Sequence, residues 1–249
     1  MRILRVGGLS LIFRSTIGLA LLTAVCSAQA PSSSSEEILD TATAATRSQL
    51  TALRYSFVKE TSKSGISCAI RSPRIVVQDV PSYGSYDPDT NTLTSPAWEQ
   101  MSTEEQSLFY RALGPNAKEA DARAEFELGV HHWVIVHELG HWWEACRGWV
   151  DHGDHYKFEL EADKIAAAYW NEYDPSVIAH QQGIFEAILD KWPNPVPPGQ
   201  TAEDYLNKNL DALGPTPAYI WFQARMCLAA FRQKPLPRFF EALAQTPRS

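Results

Sequence analysis

The sequence has few cysteines, and their spacing excludes two kinds of site. It contains four, at positions 26, 68, 146 and 227, and no two of them form a CxxC pair. Cysteine-based zinc sites and thioredoxin-type redox sites commonly use that spacing. Cys68, Cys146 and Cys227 remain after position 30, so an oxidising compartment would permit one disulfide. The sequence leaves the pair open.

Long apolar runs and a surplus of basic residues are also missing. The apolar run at 17–25 is much shorter than the roughly 20 residues that a membrane-spanning helix needs. Acidic residues outnumber basic ones by 29 to 22, which gives a formal net charge of −7. An acidic chain is poorly suited to phosphate backbones, so we expect no nucleic-acid partner and no transmembrane span in the mature chain. No convincing nucleophile elbow or phosphate-binding loop occurs.

The first thirty residues have the layout of a signal peptide. Arginines precede and flank apolar stretches, and the run at 17–25 leads to Ala28-Gln29-Ala30. Small residues at these positions favour cleavage after Ala30, although an uncleaved amphipathic anchor is the alternative. We therefore expect residues 1–30 to be removed and residues 31–249 to form a single exported domain, periplasmic or secreted.

The pattern beyond the leader predicts an α+β fold, mainly helical, with a small β-sheet before the longest helix. Short β-branched runs between positions 65 and 96 predict two to four strands, including a hairpin that joins Tyr86 to Thr92–Thr94. Helical periodicity and capping signals predict helices at 36–58, 102–113, 117–147 (with a possible break near Gly129), 157–173, 175–191, 202–213 and 217–233. The tryptophans at 133, 142, 143 and 149 are expected in the core, and His131 and His132 are expected to be packing residues.

The segment His137-Glu138-Leu139-Gly140-His141 is the first candidate for chemistry. In a helix, residues four apart project from nearly the same face, so His137 and His141 can bind one metal ion. Glu138 lies about one hundred degrees round the helix, beside the metal, where it can act on a water molecule. Apolar neighbours on both sides predict a buried helix, and a buried polar cluster needs a partner such as a metal.

A catalytic zinc ion usually has three protein ligands, so a third one is needed. Glu144 shares the face of both histidines but lies about 10 Å along the axis from His137, which is too far for a ligand. Glu159 and Asp163 share one face of the next helix. We expect Glu159 as the third ligand and Asp163 as the partner of a ligand histidine. Glu161 points elsewhere, and Asp151 or Asp154 is an alternative ligand.

Together these elements resemble the gluzincin metallopeptidases, which have HExxH on one helix and a glutamate ligand on the next. The similarity covers Val134–Trp143 and Glu159–Ala168, and HELGH followed by ExxAD is most similar to the soluble envelope members of the HtpX-like and CAAX-prenyl-protease-type branch. The resemblance implies a zincin-like fold, one Zn²⁺ ion, and hydrolysis of a peptide or protein substrate with Glu138 activating a zinc-bound water. It also implies an edge strand that pairs with substrate, for which the strand at Thr92–Thr94 is the candidate.

The family also implies a side chain that stabilises the oxyanion. His152, His155 and Tyr156 lie between the two ligand helices and are the favoured candidates, with Tyr173, His180 and Arg225 further along. A competing hypothesis is a non-catalytic, zinc-stabilised envelope chaperone or assembly factor on the same scaffold. The presence of Glu138 argues against it, because a structural zinc site needs no base.

Overall fold

The fold is described by a computed structural model that covers residues 35–214 and 216–248. The predicted signal peptide and its cleavage site at Ala30 lie outside these residues. Within the described ranges, none of the helices combines the length and the apolar character needed to cross a membrane.

The described chain is mainly helical, with a small three-stranded sheet that precedes the motif-bearing helix, as expected for the α+β class. The α-helices are α1 (Ser35–Ser62), α2 (Thr103–Leu113), α3 (Glu119–Phe126), α4 (Ile135–Cys146), α5 (His155–Tyr173), α6 (Pro175–Lys191), α7 (Ala202–Leu213), α8 (Pro217–Phe231) and α9 (Phe239–Gln245). The strands are β1 (Arg74–Val77), β2 (Ser85–Asp87) and β3 (Thr92–Ser95), and a 3₁₀ turn spans Trp98–Gln100.

The sheet corrects one expectation about substrate pairing. Its strand order is β1-β3-β2, with β3 parallel to β1 and antiparallel to β2. Tyr86 lies opposite Leu93, so the predicted hairpin is confirmed. The expectation that Thr92–Thr94 is an exposed edge was wrong, because β1 adds to the far side of β3 and uses its remaining backbone groups. Strand β2 is instead the edge that lies beside α4.

The predicted long helix at 117–147 is continuous, but its hydrogen-bond pattern changes from α to π and back to α. Between α3 and α4, residues Glu127–Val134 form a π-helix, so the chain does not break at Gly129. Nδ1 of His132 lies 3.0 Å from the carbonyl oxygen of Glu127, five residues earlier. The buried ring of His131 lies 2.9 Å from the carbonyl of Pro96. His131 also bonds to the Glu127 carboxylate, and neither histidine belongs to the group His137, His141 and Glu159 described below.

Helices α4 and α5 pack closely in the core of the described chain. At Gly140, an added Cβ atom would stand 3.1 Å from both Cα and O of Ala162. The absence of a side chain therefore lets the two helix backbones approach each other. Trp133, Trp142 and Trp143 are buried as predicted, whereas Trp149 is half-buried against Phe158.

The open question of the disulfide has a definite answer. Cys68 and Cys146 are bonded, which ties the end of α4 to the segment between α1 and β1. Cys227 on α8 is a buried free thiol.

Candidate metal centre

Three predicted ligands meet between α4 and α5. Nε2 of His137 and Nε2 of His141 lie 3.1 Å apart. The carboxylate of Glu159 lies 3.2 Å from the first nitrogen and 3.7 Å from the second. Ligands held at about 2.05 Å around one tetrahedral ion are separated by about 3.3 Å, so these three spacings suit a single zinc-sized ion. Among the described residues, these three form a group that could hold a metal.

The other nitrogen of each histidine is bound to a buried carboxylate. Nδ1 of His137 lies 2.8 Å from Oδ1 of Asp163, and Nδ1 of His141 lies 2.6 Å from Oε2 of Glu144. With a metal ion bound, each carboxylate would accept an Nδ1–H, which leaves the two Nε2 lone pairs to the ion beside Glu159. Without an ion, burial lowers the pKa of both rings, but Asp163 raises that of His137 and Glu144 raises that of His141 above the usual range, so a metal ion would replace a proton between these groups.

The surroundings shift the pKa values of two buried carboxyl groups, Glu144 and Glu159, in opposite directions. Burial raises the pKa of Glu144 to about 7, although the charge of His141 opposes this shift. Burial would also raise the pKa of Glu159, but its hydrogen bond with His137 and the charge of His141 lower it to about 2. Glu159 is therefore an anion over the whole physiological range, as a metal ligand must be.

Glu138 is held beside the ligands by strand β2. The backbone N–H of Tyr86 donates to Oε2 of Glu138 at 2.7 Å. Only 9% of Glu138 is exposed, and burial raises its pKa although both histidines oppose the shift. Gly84 makes this approach possible, because a Cβ atom there would clash with Val134 and come within 3.3 Å of Cγ of Glu138.

Helix α8 contributes contacts that the motifs did not reveal. Nε2 of Gln223 donates to Oε2 of Glu159 at 2.8 Å and to the hydroxyl of Tyr219 at 2.6 Å. Burial and the charge of Glu159 raise the pKa of Tyr219 well above its usual range, so its hydroxyl is neutral and able to donate. The thiol of Cys227 lies 3.4 Å from Oδ1 of Asp163.

The ligands open onto a cleft of about 930 Å³. Its lining includes His137, Glu138, His141 and Glu159 together with Tyr219 and residues of β2. These four residues and Tyr219 therefore face a common space large enough for several side chains of a ligand.

The favoured oxyanion candidates are not part of this lining. His155 is bound to Asp151, the N–H of Tyr156 donates to Asn207, and His152 is exposed. His155 opens α5 one turn before Glu159, but its ring nitrogen is engaged by Asp151 of the preceding loop.

The more distant candidates are engaged elsewhere too. Tyr173 donates to Glu60, His180 bonds to Glu125, and the guanidinium of Arg225 lies over the ring of Trp221. Among the alternative ligands, Asp151 bonds to His155, and Asp154 caps α5 and accepts a hydrogen bond from Asn207. Glu161 pairs with Lys164 and lies outside the ligand group.

Comparison with protein-family models, curated proteins and solved structures finds no match to this chain. The gluzincin resemblance stays a prediction that depends on the two motifs.

Proposed function

We propose that this protein is a zinc-dependent endopeptidase in which Glu138 is the general base. The observation that carries the proposal is the position of Glu138. A buried carboxylate, with one oxygen fixed by the N–H of Tyr86, stands beside three converging metal-ligand groups and opens onto a large cleft. A site that only stabilised the fold would not need that carboxylate.

The donor set supports zinc as the metal. Two imidazoles and one carboxylate are a common protein ligand set of catalytic zinc, which keeps a fourth position open, whereas structural zinc sites usually have four protein ligands. His137, His141 and Glu159 would hold the ion. Bound there, zinc would supply a Lewis acid that polarises water and the substrate carbonyl.

The side chains of the protein supply the proton transfers and the alignment. Glu138 takes a proton from the attacking water and passes it to the leaving amine, and burial raises its pKa, which strengthens it as the base. The outer edge of β2 borders the cleft beside Glu138, which binds the N–H of Tyr86, so an extended peptide would pair with the remaining backbone groups of that edge. Tyr219 accepts a hydrogen bond from Gln223, so its own O–H is available to donate to the developing oxyanion.

We also infer that the protein works outside the reducing cytosol. The Cys68–Cys146 disulfide supports this, because such bonds persist in the periplasm and in secreted proteins.

The test compares purified protein with a Glu138→Gln variant for zinc content and for cleavage of casein and a peptide library. We expect one zinc ion per chain in both, and a loss of cleavage by at least about a hundredfold in the variant. Equal cleavage by both proteins would indicate another base or a contaminant. If both proteins bind zinc and neither cleaves, the zinc-stabilised chaperone becomes the better explanation.

A further inference from the structure

The cleft extends beyond the metal ligands into an apolar chamber. Its walls come from α2, the π-helix and α6, with Leu108, Phe109, Val130, Trp133, Ile184 and Phe185 among them. Gly129 lies in this lining eight residues before His137, which is at most about 12 Å along the helix axis. A side chain bound there would have to be long, and its stem would lie against apolar groups.

At the Gly129 end of the lining lies a buried carboxylate. Glu125 is 4% exposed and lines the cleft together with Gln181. Its Oε2 atom bonds to Nε2 of His180 at 2.6 Å, and its Oε1 atom accepts from Nε2 of Gln181 at 3.1 Å. A carboxylate has about four lone-pair sites, so these two bonds leave acceptor capacity.

Gly129 leaves that carboxylate uncovered. A Cβ atom at this position would stand 3.3 Å from Oε1 of Glu125 and 3.8 Å from both the nitrogen and the oxygen of the Gln181 amide. The carboxylate oxygen of Glu125 and the amide oxygen of Gln181 therefore border the space beside Gly129, where a larger residue would place its side chain. An ammonium or guanidinium group, which has only donors, complements this end of the chamber.

The charges around the rest of the cleft agree with a cationic ligand. Besides Glu138 and Glu159, the acidic residues in its lining are Asp79, Glu104, Glu105, Glu125 and Asp151. Within the described part of the chain, the lining contains neither lysine nor arginine. The seven carboxylates of the lining outnumber the two positive charges of the proposed zinc ion, and a cleft with a net negative charge concentrates cationic ligands.

From this arrangement we infer that the site selects peptides with a lysine or arginine near the scissile bond, whose stem lies in the apolar chamber and whose cationic end binds Glu125 and Gln181. Selective binding of such peptides does not depend on the proposed function, whereas their cleavage does.

The test measures binding and cleavage separately. Alanine-rich peptides carry lysine, norleucine or glutamate at each position in turn, and their dissociation constants are measured on the zinc-loaded Glu138→Gln protein. At one position, lysine should bind roughly ten- to hundredfold more tightly than norleucine, and glutamate most weakly. Wild-type protein should cleave the lysine peptide fastest.

Two added substitutions locate the selectivity. Glu125→Gln removes the charge, and Gly129→Ala covers the carboxylate at a helical position where alanine is otherwise favourable. Either change, added to Glu138→Gln, should abolish the preference for lysine over norleucine. Gly183→Ala is the matched control, because a Cβ atom at that helical position meets no described atom within 4 Å. Melting temperatures establish that each variant is folded.

The outcomes separate the two proposals. Equal binding of lysine and norleucine peptides, or a lysine preference that survives both chamber substitutions, would overturn the inference. Selective binding of lysine peptides without cleavage by the wild type would support the inference and reject the peptidase. Cleavage without a preference for basic residues would support the peptidase and reject the inference.

Discussion

Glu144 offers a sharp test of how the metal centre is built. Its carboxylate is fully buried and lies 2.6 Å from Nδ1 of His141. It is not one of the three groups that could hold a metal, so its influence on a bound ion would pass through the orientation and basicity of the His141 ring. Loss of such a partner typically weakens metal binding by 10- to 100-fold. We therefore expect Glu144→Gln to raise the zinc dissociation constant by that factor, about 1.4 to 2.8 kcal/mol of binding free energy.

The metal-free protein should respond much less to Glu144→Gln. Oε1 of Glu144 has no hydrogen-bond partner among the described residues, so the new amide would place donors in an unsatisfied position. The substitution also removes a buried charge. These two effects oppose each other, and we expect the free energy of unfolding to change by about 1 kcal/mol or less.

The assay is zinc competition against a chelator of known affinity, together with denaturant unfolding of the metal-free protein. Glu161→Gln is the control, because Glu161 pairs with Lys164 outside the ligand group. Unchanged zinc affinity in Glu144→Gln would refute the orienting role. A large loss of stability with unchanged affinity would assign Glu144 to the fold alone.

Three further predictions address the ligand, the oxyanion donor and the disulfide. Glu159→Ala should sharply lower zinc content in elemental analysis, whereas Glu161→Ala should not, and the reverse pattern would reject the assignment. Tyr219→Phe should lower kcat roughly a hundredfold with zinc content unchanged, and an unaltered kcat would exclude the hydroxyl. Replacing Cys68 and Cys146 by serine should lower the unfolding free energy by about 4 to 5 kcal/mol, because the bond closes a loop of 78 residues; an unchanged denaturation midpoint would contradict this.

The sequence predicted the ligand group in two steps: helical spacing paired residues within each helix, and the need for a third ligand linked the two helices. His137 and His141 stand four residues apart on α4, and Glu159 and Asp163 stand four apart on α5. The structure places Asp163 against His137, as that spacing suggested. The role of Glu144 was missed although a signal existed. Glu144 lies seven residues from His137, too far to join it as a ligand, but only three residues from His141. At that spacing its carboxylate can reach Nδ1 of His141.

Other parts depend on tertiary contacts that local patterns do not encode. Tyr219 and Gln223 lie on α8, and only the packing of α8 against α5 brings them to Glu159. The strand order likewise depends on which side of β3 pairs with β1. The pattern of apolar and polar residues within β3 does not reveal that choice. The sequence did not predict the π-helix before α4 either, because Gly129 is equally compatible with a helix break at that position.

For the proposed zinc ion, the close approach of α4 and α5 at Gly140 and Ala162 bears on when it would bind. Backbone contact at this crossing sets the distance between the two ligand helices, so the metal does not have to draw them together. Little of the binding free energy is then consumed in ordering the chain. Zinc should stabilise the folded protein by mass action, about 4 kcal/mol at a thousand times its dissociation constant, and a chelator should remove it without unfolding. On this view the chain folds first and acquires its ion afterwards, in whichever compartment supplies it.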